Sequence, residues 1–319
     1  MRSPLVTILI PVYNGEMYIH KLFDSILMQD YPNLQVVIVN DGSVDKTEEI
    51  IFKYINFFNE KNIQYKYLKQ TNSGQSNAIR NGLNYVKGDF LTWPDSDDFY
   101  NDKKAISKFV NAFIDNDEYV VRCEPLFFDG IKKYCRNYEY NSDNVFNDCL
   151  YATKNFWFQP ICYMINYSKY LELNPNLDFF CEKRAGQNWQ FYLILFNSVK
   201  CVTLKEKICV VYERQESHSR IKFKDANSVI SKYKSYINTI VSTLNLINLN
   251  DSYKKNIIDK ITIQYYSIMY REIYEIDRKI AKKFYRKYSK NISISLLESF
   301  KMSFIGVFLK KIKNFFQNI

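Results

Sequence analysis

Three aspartates, Asp95, Asp97 and Asp98, stand within four residues directly after an apolar run at residues 90–93. A short apolar segment bounded by turn residues is typical of a buried strand. The acids are therefore expected just beyond its carboxyl end, where open α/β sheets bind ligands. Carboxylates this close together repel one another unless a cation or water lies among them. The pattern indicates either a site in which Asp95 and Asp97 bind a metal ion and a diphosphate, or a solvated turn in which Asp98 caps the next helix.

Strand-like and helix-like segments alternate over the first hundred residues. Strands are expected at residues 6–12, 34–39, 63–68 and 90–93, and helices at 19–27, about 45–58 and 75–86. This alternation predicts a parallel sheet with right-handed crossovers. Gly15, Gly42 and Gly74 each follow a strand, where the backbone must turn tightly or approach a ligand. The sequence contains no Gly-x-Gly-x-x-Gly and no Gly-Lys-Ser/Thr motif, which argues against a dinucleotide site and a P-loop.

The pattern beyond residue 102 is less regular. A helix is expected at 105–113, a hairpin formed by 119–128 and 131–138, a strand at 157–165, a helix at 186–196, paired strands within 201–212, and helices at 225–248 and 252–288. The change to a wholly helical period predicts a domain border near residue 222. We therefore expect an α/β domain over residues 1–222 and a helical region over 223–319.

Charge and composition narrow the classes of partner. The chain has 319 residues and a formal charge of +10, with net −3 over residues 1–100 and net +13 over the remainder. This asymmetry indicates a polyanionic partner, either an anionic membrane face or nucleic acid. The absence of a nucleic-acid motif makes nucleic acid the weakest option. Two histidines argue against a zinc site, and seven cysteines without a Cys-x-x-Cys pair indicate a reduced, cytoplasmic compartment.

We expect no signal peptide ahead of the first strand, and no apolar stretch reaches the roughly 20 residues of a membrane-spanning helix. The segment at residues 304–319 has apolar residues on one helical face and lysines opposite them. Such a helix can lie in a membrane interface or dock on its own domain.

Four motifs of the first hundred residues resemble those of the family 2 glycosyltransferases of the GT-A fold. They are VTILIPVYNG at residues 6–15, VIVNDGSVD at 37–45, NSGQSNA at 72–78 and DSDD at 95–98, in the usual order and spacing. The resemblance implies a Rossmann-like, mostly parallel central sheet between helices. It also implies inverting transfer of a monosaccharide from a UDP-sugar with the help of Mn²⁺ or Mg²⁺. Residues 1–100 would then form the nucleotide-binding half and residues 101–222 the acceptor-side half.

The resemblance assigns a set of residues to the donor site. They are Pro11, Val12, Tyr13, Asn14, Glu16, Asp41, Gly74, Asn77, Arg80, Asp95 and Ser96. Asp41 would accept a hydrogen bond from the uracil ring, and the same residue can form an Asx turn. Gly74 and Asn77 would let the following helix point its N–H groups at ribose or diphosphate. Arg80 either contacts phosphate or faces solvent, because its helix departs from the Ala-Arg-Asn or Ala-Ile-Asn of many relatives.

The acceptor side departs from the commoner family pattern, Gly-Glu-Asp-Trp. GQNWQ at residues 186–190 and SHS at 217–219 resemble a subgroup of bacterial polysaccharide glycosyltransferases. Neutral Asn188 cannot act as a base, so it is expected to hold the acceptor. The base is then Glu182 or Asp178, unless Glu182 is only a surface charge. His218 either binds the metal or the leaving diphosphate, or lies in an exposed loop.

These observations predict transfer to a hydroxyl of a glycan, with a lipid-linked oligosaccharide as acceptor, on the inner face of a bacterial membrane in capsule or lipopolysaccharide synthesis. Because the Glu-Asp pair is missing, one alternative is a catalytically silent protein that binds a UDP-sugar in an assembly complex. A sugar-1-phosphate nucleotidyltransferase is a further alternative, but it requires a Gly-rich amino-terminal loop, which the segment Tyr13 to Glu16 does not supply.

Overall fold

The chain divides into two compact units. The first comprises residues 1–221 and 238–249, and the second comprises residues 222–237 and 250–319. The computed structural model describes residues 3–116, 119–138, 144–153, 156–181, 187–214 and 223–294. The domain border expected near residue 222 stays a prediction, and the division differs from it because residues 238–249 group with the first unit.

The first part of the first unit alternates strand and helix. Its elements are β1 (Val6–Val12), α1 (Ile19–Leu27), β2 (Leu34–Asn40), α2 (Thr47–Glu60), β3 (Gln64–Lys69), α3 (Gln75–Leu83) and β4 (Phe90–Thr92). The strands lie in the order β3-β2-β1-β4, and all three pairs are parallel. This confirms the parallel sheet expected for the first hundred residues.

The rest of this unit extends the sheet with mixed directions. Its elements are β5 (Phe99–Tyr100), α4 (Ala105–Asn116), β6 (Val120–Phe128), β7 (Lys133–Tyr134), α5 (Val145–Tyr151), β8 (Tyr163–Asn166), α6 (Tyr167–Leu173), α7 (Gln187–Phe196) and β9 (Cys201–Tyr212). The sheet continues from β4 through β8, β6 and β9 to β5, with β7 paired to β6 in the expected hairpin. Only the β6–β9 pair is parallel among these pairs of the described residues.

The expectation of two strands within residues 201–212 was wrong. Cys201–Tyr212 is a single strand whose two ends pair with β6, residues 201–204 with 120–123 and residues 209–212 with 125–128. Residues 205–207 are exposed, so they look like a turn in the sequence. The extra residues of β9 are accommodated by a register shift between Cys123 and Pro125 of β6, and not by a turn.

The central strands form the core that supports the site. Every residue of β1 and β2 is buried, because helices cover both faces of a parallel sheet. Helix α3 approaches β1 closely at Gly82, where an added Cβ would lie 2.3 Å from a methyl group of Leu9. This close packing holds the amino-terminal end of α3 beside the carboxyl ends of the strands.

The second unit is helical. Helix α8 (Ala226–Leu246) divides between the units after residue 237, and α9 (Asp251–Ile276) and α10 (Arg278–Tyr288) follow. The single helix expected over residues 252–288 is interrupted at Asp277, whose extended backbone has φ −150°. The Asp277 carboxylate accepts hydrogen bonds from the backbone N–H groups of Lys279 and Ile280, and so caps α10.

No helix in the described ranges is both long and apolar enough to cross a bilayer. The amphipathic segment expected at residues 304–319 lies outside the described residues.

Candidate active site

The three aspartates after β4 lie at the carboxyl edge of the sheet and are largely withdrawn from water. Asp97 is 8% exposed, Asp98 is 2% exposed and Asp95 is half-buried. Burial, and then the charge of Asp97, raises the pKa of Asp95 to about 7. Burial also raises the pKa of Asp97, and it raises the pKa of Asp98 well above its usual range with help from both neighbouring charges. Full ionisation of the three carboxylates is therefore unfavourable unless a cation lies among them.

Arg214 supplies a positive charge at this edge. Its Nε lies 2.6 Å from Oδ2 of Asp97, and its guanidinium lies 5.0 Å from the centre of the Tyr18 ring. Oδ1 of Asp98 accepts a hydrogen bond of 3.0 Å from the backbone N–H of Tyr212. The end of β9 thus brings a cation and a backbone donor to the acids. Arg214 was not among the predicted site residues, because nothing in the local sequence marks an arginine after a strand as a partner of distant acids.

Asp41 fixes the loop between β3 and α3. Its Oδ1 accepts hydrogen bonds from Nε2 of Gln70 at 2.8 Å and from the backbone N–H of Ser73 at 2.9 Å, and its Oδ2 accepts one from the N–H of Gly74 at 2.9 Å. Gly74 has φ 92°, which favours glycine. Asp41 does not form the Asx turn considered for it, whereas Oδ1 of the neighbouring Asn40 accepts from the N–H of Ser43, three residues along the chain. The contact of Asp41 with uracil stays a prediction.

Gln75 joins the loop that Asp41 holds to the acids after β4. It is the first residue of α3, directly after Gly74, and its Nε2 donates a 2.5 Å hydrogen bond to Oδ1 of Asp95. Asp41 and Asp95 are thereby connected through two adjacent residues, so the ends of β2 and β4 form one site. Gln75 lies inside a motif that the sequence analysis singled out, but no role was predicted for it.

The loop after β1 is bound to the loop after β2. Asn14, at φ 50°, accepts a hydrogen bond from the N–H of Val44, and Oε2 of Glu16 accepts one from the N–H of Lys46 at 2.9 Å. Tyr13 is 49% exposed, so its ring is accessible to a ligand.

Three other residues expected at the donor site lie close to this loop. Pro11 and Val12 are buried at the end of β1. Oγ of Ser96 lies 3.6 Å from where a Cβ on Gly15 would stand, so the turn carrying the acids packs against the loop after β1. Contact of these side chains with a nucleoside stays a prediction.

Asn77 and Arg80 lie farther along α3. Nδ2 of Asn77 donates to the backbone carbonyl of Ser73 at 2.8 Å. Arg80 is exposed and lies beside the thiol of Cys181, whose pKa is raised by burial and lowered in part by the guanidinium. Both side chains line a polar depression of about 410 Å³ with residues of the loop that Asp41 holds. A contact between Arg80 and phosphate stays a prediction.

The start of α7 is hydrogen-bonded to four other segments of the first unit. Oδ1 of Asn188 accepts from Nε1 of Trp93 at 3.1 Å, and its Nδ2 donates to the carbonyl of Phe158 at 2.8 Å. Nε1 of Trp189 donates to the carbonyl of Cys149, and Gln190 exchanges two hydrogen bonds with the backbone of Phe180. Asn188 therefore positions Trp93, two residues before Asp95, and its role toward an acceptor stays a prediction.

Two predicted site residues, Glu182 and His218, lie outside the described residues. The other candidate base, Asp178, is exposed, and its backbone N–H donates to Asn174 at 3.0 Å.

We expect Asp95→Asn to raise the free energy of unfolding at pH 8, and the gain to shrink as the pH falls towards 4. Asp95 has a pKa of about 7 in the folded protein and about 3.9 in an unfolded chain. The folded state therefore binds the extra proton, and stability falls as the pH rises through this window. The amide is uncharged and still accepts from Gln75, so the gain at pH 8 should reach about 1–2 kcal/mol after allowance for solvent contact. Urea unfolding at several pH values measures it.

The matched control is Asp102→Asn, for which we expect the opposite change in the free energy of unfolding. A hydrogen bond from Lys108 lowers the pKa of Asp102, so its charge stabilises the fold and its loss should reduce stability at pH 8. Equal effects of the two substitutions would contradict the explanation by burial and repulsion.

Comparison with known proteins identifies relatives of this chain. A family model described as "Glycosyl transferase family 2" matches residues 7–201, which is more than half of the chain. An uncharacterized glycosyltransferase of Rickettsia typhi is 38% identical over 123 residues, covering 38% of this chain and 36% of that protein. Poly(ribitol-phosphate) beta-N-acetylglucosaminyltransferase TarS of Staphylococcus aureus is 40% identical over 112 residues, covering 34% and 18%. The chain thus matches about a third or less of the length of these relatives.

Two solved structures share the fold. S. aureus TarS 1–349 in complex with UDP-GlcNAc superimposes with a TM-score of 0.68 at 18% identity, covering 90% of this chain and 80% of that one. The mannosyltransferase PcManGT from Pyrobaculum calidifontis, in complex with GDP-Man and Mn²⁺, gives 0.55 at 16% identity, covering 94% and 78%. The predicted fold class, a GT-A domain followed by a helical carboxyl-terminal region, is confirmed.

Proposed function

The chain belongs to glycosyl transferase family 2, and from that premise we propose that it transfers a monosaccharide from a UDP-sugar to a hydroxyl group of a glycan acceptor, with inversion. One observation carries the proposal. Asp41, Gly74, Gln75 and Asp95 form a continuous connection between the ends of β2 and β4. A nucleotide bound at Asp41 and a diphosphate bound at the acids would therefore occupy the same cleft.

The carboxylate oxygens after β4 suit a divalent cation. Mg²⁺ and Mn²⁺ favour oxygen ligands, and such ions are commonly held by one or two carboxylates together with substrate phosphates. Asp95 and Asp97 would hold the ion, because the carboxylate of Asp98 accepts from Tyr212 instead. Among the described residues no three His, Cys, Asp or Glu side chains are placed to hold a metal by themselves, so phosphate oxygens would complete the site. When bound, the cation neutralises the charge that develops on the leaving diphosphate.

Arg214 would act with the cation in this cleft. Its guanidinium lies within 2.6 Å of Asp97 and carries a permanent positive charge. It can therefore orient the carboxylate before a donor binds and offset negative charge once the diphosphate is present. Asn188, through Trp93, holds the strand end that carries Asp95.

The proposed donor nucleotide is UDP. TarS, whose fold this chain shares, was solved with UDP-GlcNAc and with UDP. Asp41 keeps unused acceptor capacity on Oδ2, which suits an N–H such as that of the uracil ring. The neighbour PcManGT binds GDP-Man, so a guanine nucleotide is the natural negative control.

The proposed acceptor is an anionic or lipid-linked glycan of the bacterial cell surface. The region beyond residue 100 has a net charge of +13, and TarS is named for transfer to poly(ribitol-phosphate). We place the protein on the cytoplasmic face of the membrane, in capsule or lipopolysaccharide synthesis. Glu182 remains the proposed base, and His218 a proposed ligand of the metal or diphosphate.

A catalytically silent UDP-sugar-binding protein is the second candidate. It is favoured by Asn188, which replaces the family's usual carboxylate and whose amide is bonded to Trp93 and Phe158. Such a protein would bind UDP with metal but would never release it from a UDP-sugar.

Release of UDP tests the proposal. The purified chain is incubated with Mn²⁺, bacterial membrane glycolipids and, in turn, UDP-glucose, UDP-galactose, UDP-GlcNAc and GDP-mannose. We expect UDP release from at least one UDP-sugar that depends on glycolipid and stops with EDTA, and no turnover of GDP-mannose. UDP binding without release would favour the silent protein, and the absence of both would contradict the proposed donor site.

A further inference from the structure

Helix α10 concentrates positive charge on one side. Its cationic face consists of Arg278, Lys279, Lys282, Lys283, Arg286 and Lys287, followed by Lys290 just beyond the helix. At 100° per residue these helical cations occupy about half of the helix circumference. All seven residues are exposed.

Acidic residues do not balance this charge. The sequence has no Asp or Glu between residues 278 and 297. Within the part of the chain that the structure describes, none of these seven cations forms an ion pair with a carboxylate. The first half of α9 differs, since Lys254, Lys255 and Lys260 alternate there with Asp251 and Asp259. Mixed signs are usual for a solvated helix face, so α10 is exceptional within its own unit.

Packing keeps the cationic face turned outward. Ala281 and Phe284, on the opposite side of α10, are buried, and the Phe284 ring lies 5.9 Å from the ring of Tyr266 in α9. Ile280 is 43% exposed and Tyr285 is 40% exposed, and these two flank the cationic face. The helix therefore presents a flat basic surface with apolar side chains at its margins.

We propose that the cationic face of α10 binds the surface of an anionic lipid bilayer. Each Lys or Arg near such a surface adds attraction that falls off within the Debye length. Because the apolar side of α10 is already packed against α9, the helix would lie on the head groups and not insert. The marginal Ile280 and Tyr285 suit the boundary between head groups and acyl chains.

This inference assigns to α10 the membrane association included in the proposed function. It needs no sugar transfer, so vesicle binding and catalysis can fail independently. The terminal segment at residues 304–319 is the competing candidate for the same role.

Sedimentation with vesicles tests the proposal on the full chain. The vesicles contain phosphatidylcholine alone or with about 30% phosphatidylglycerol, in about 100 mM salt. The test variant carries Lys279→Gln, Lys282→Gln, Lys283→Gln and Arg286→Gln. The control variant carries Lys224→Gln, Lys234→Gln, Lys255→Gln and Lys260→Gln, four exposed lysines of the same unit. Both variants lower the formal charge from +10 to +6.

We expect the wild-type chain to bind only the anionic vesicles and to dissociate in about 500 mM salt. The test variant should lose at least about tenfold in affinity, and the control variant less than about threefold. Equal binding by the two variants would overturn the proposal and leave the terminal segment as the membrane contact. No preference for anionic vesicles, or tighter binding to a single-stranded RNA than to the vesicles, would also overturn it.

Discussion

Replacing Asp97 by Asn is expected to lower kcat at least about a thousandfold while leaving the protein folded. Asp97 is 8% exposed and its carboxylate lies 2.6 Å from Arg214. Asparagine keeps the shape but removes the charge that would hold the cation against the diphosphate. UDP release with the best donor in saturating Mn²⁺ measures the loss, and circular dichroism checks the fold.

Asp98→Asn is the matched control, one residue away. Burial and the neighbouring charges raise the pKa of Asp98 well above its usual range, so the fold favours the uncharged form of this carboxyl group. An amide has nearly the same shape as the uncharged carboxyl group and can still accept from the N–H of Tyr212. We expect kcat within about threefold of wild type. Similar losses in both variants would show that kcat depends on the turn as a whole, and would contradict the role assigned to Asp97.

Replacing Asp41 by Asn is expected to destabilise the first unit by about 2–4 kcal/mol and to abolish measurable UDP binding. Asp41 is 3% exposed, and its carboxylate accepts three hydrogen bonds, from Gln70, Ser73 and Gly74. An amide has one oxygen, so its NH2 group must face at least one of these donors. The loop before α3 would then lose its fixed position, and Gln75 would no longer be held against Asp95. Urea unfolding and calorimetric titration with UDP measure the two effects.

Asp129→Asn serves as the control for Asp41. Asp129 also accepts two backbone N–H bonds, from Ile131 and Lys132, but it lies in the exposed turn of the β6–β7 hairpin. Loss of its charge should change stability by less than about 1 kcal/mol and leave UDP affinity unchanged. If Asp41→Asn behaved like Asp129→Asn, the buried hydrogen bonds of Asp41 would not be what organises the site.

The carboxyl-terminal part of the first unit was harder to predict than the amino-terminal part. The apolar runs that became β1, β2 and β4 are continuous, because strands covered on both faces are apolar throughout. In β9 the exposed residues 205–207 interrupt the apolar pattern, and the strand continues through them because the residues on both sides pair with β6. Similarly, the break between α9 and α10 depends on a single residue, Asp277, within an otherwise helical period.

The sequence by itself determined the family motifs, the alternation of strands and helices, and the position of the acids after β4. These features are local, since periodicity and turn residues act over a few neighbours. The tertiary structure alone decided which groups meet at the acids: Arg214 at Asp97, Gln75 at Asp95, and Asn188 at Trp93, 95 residues away along the chain. It also decided their charge, because a carboxylate's pKa depends on burial and on neighbours that only the folded chain brings together.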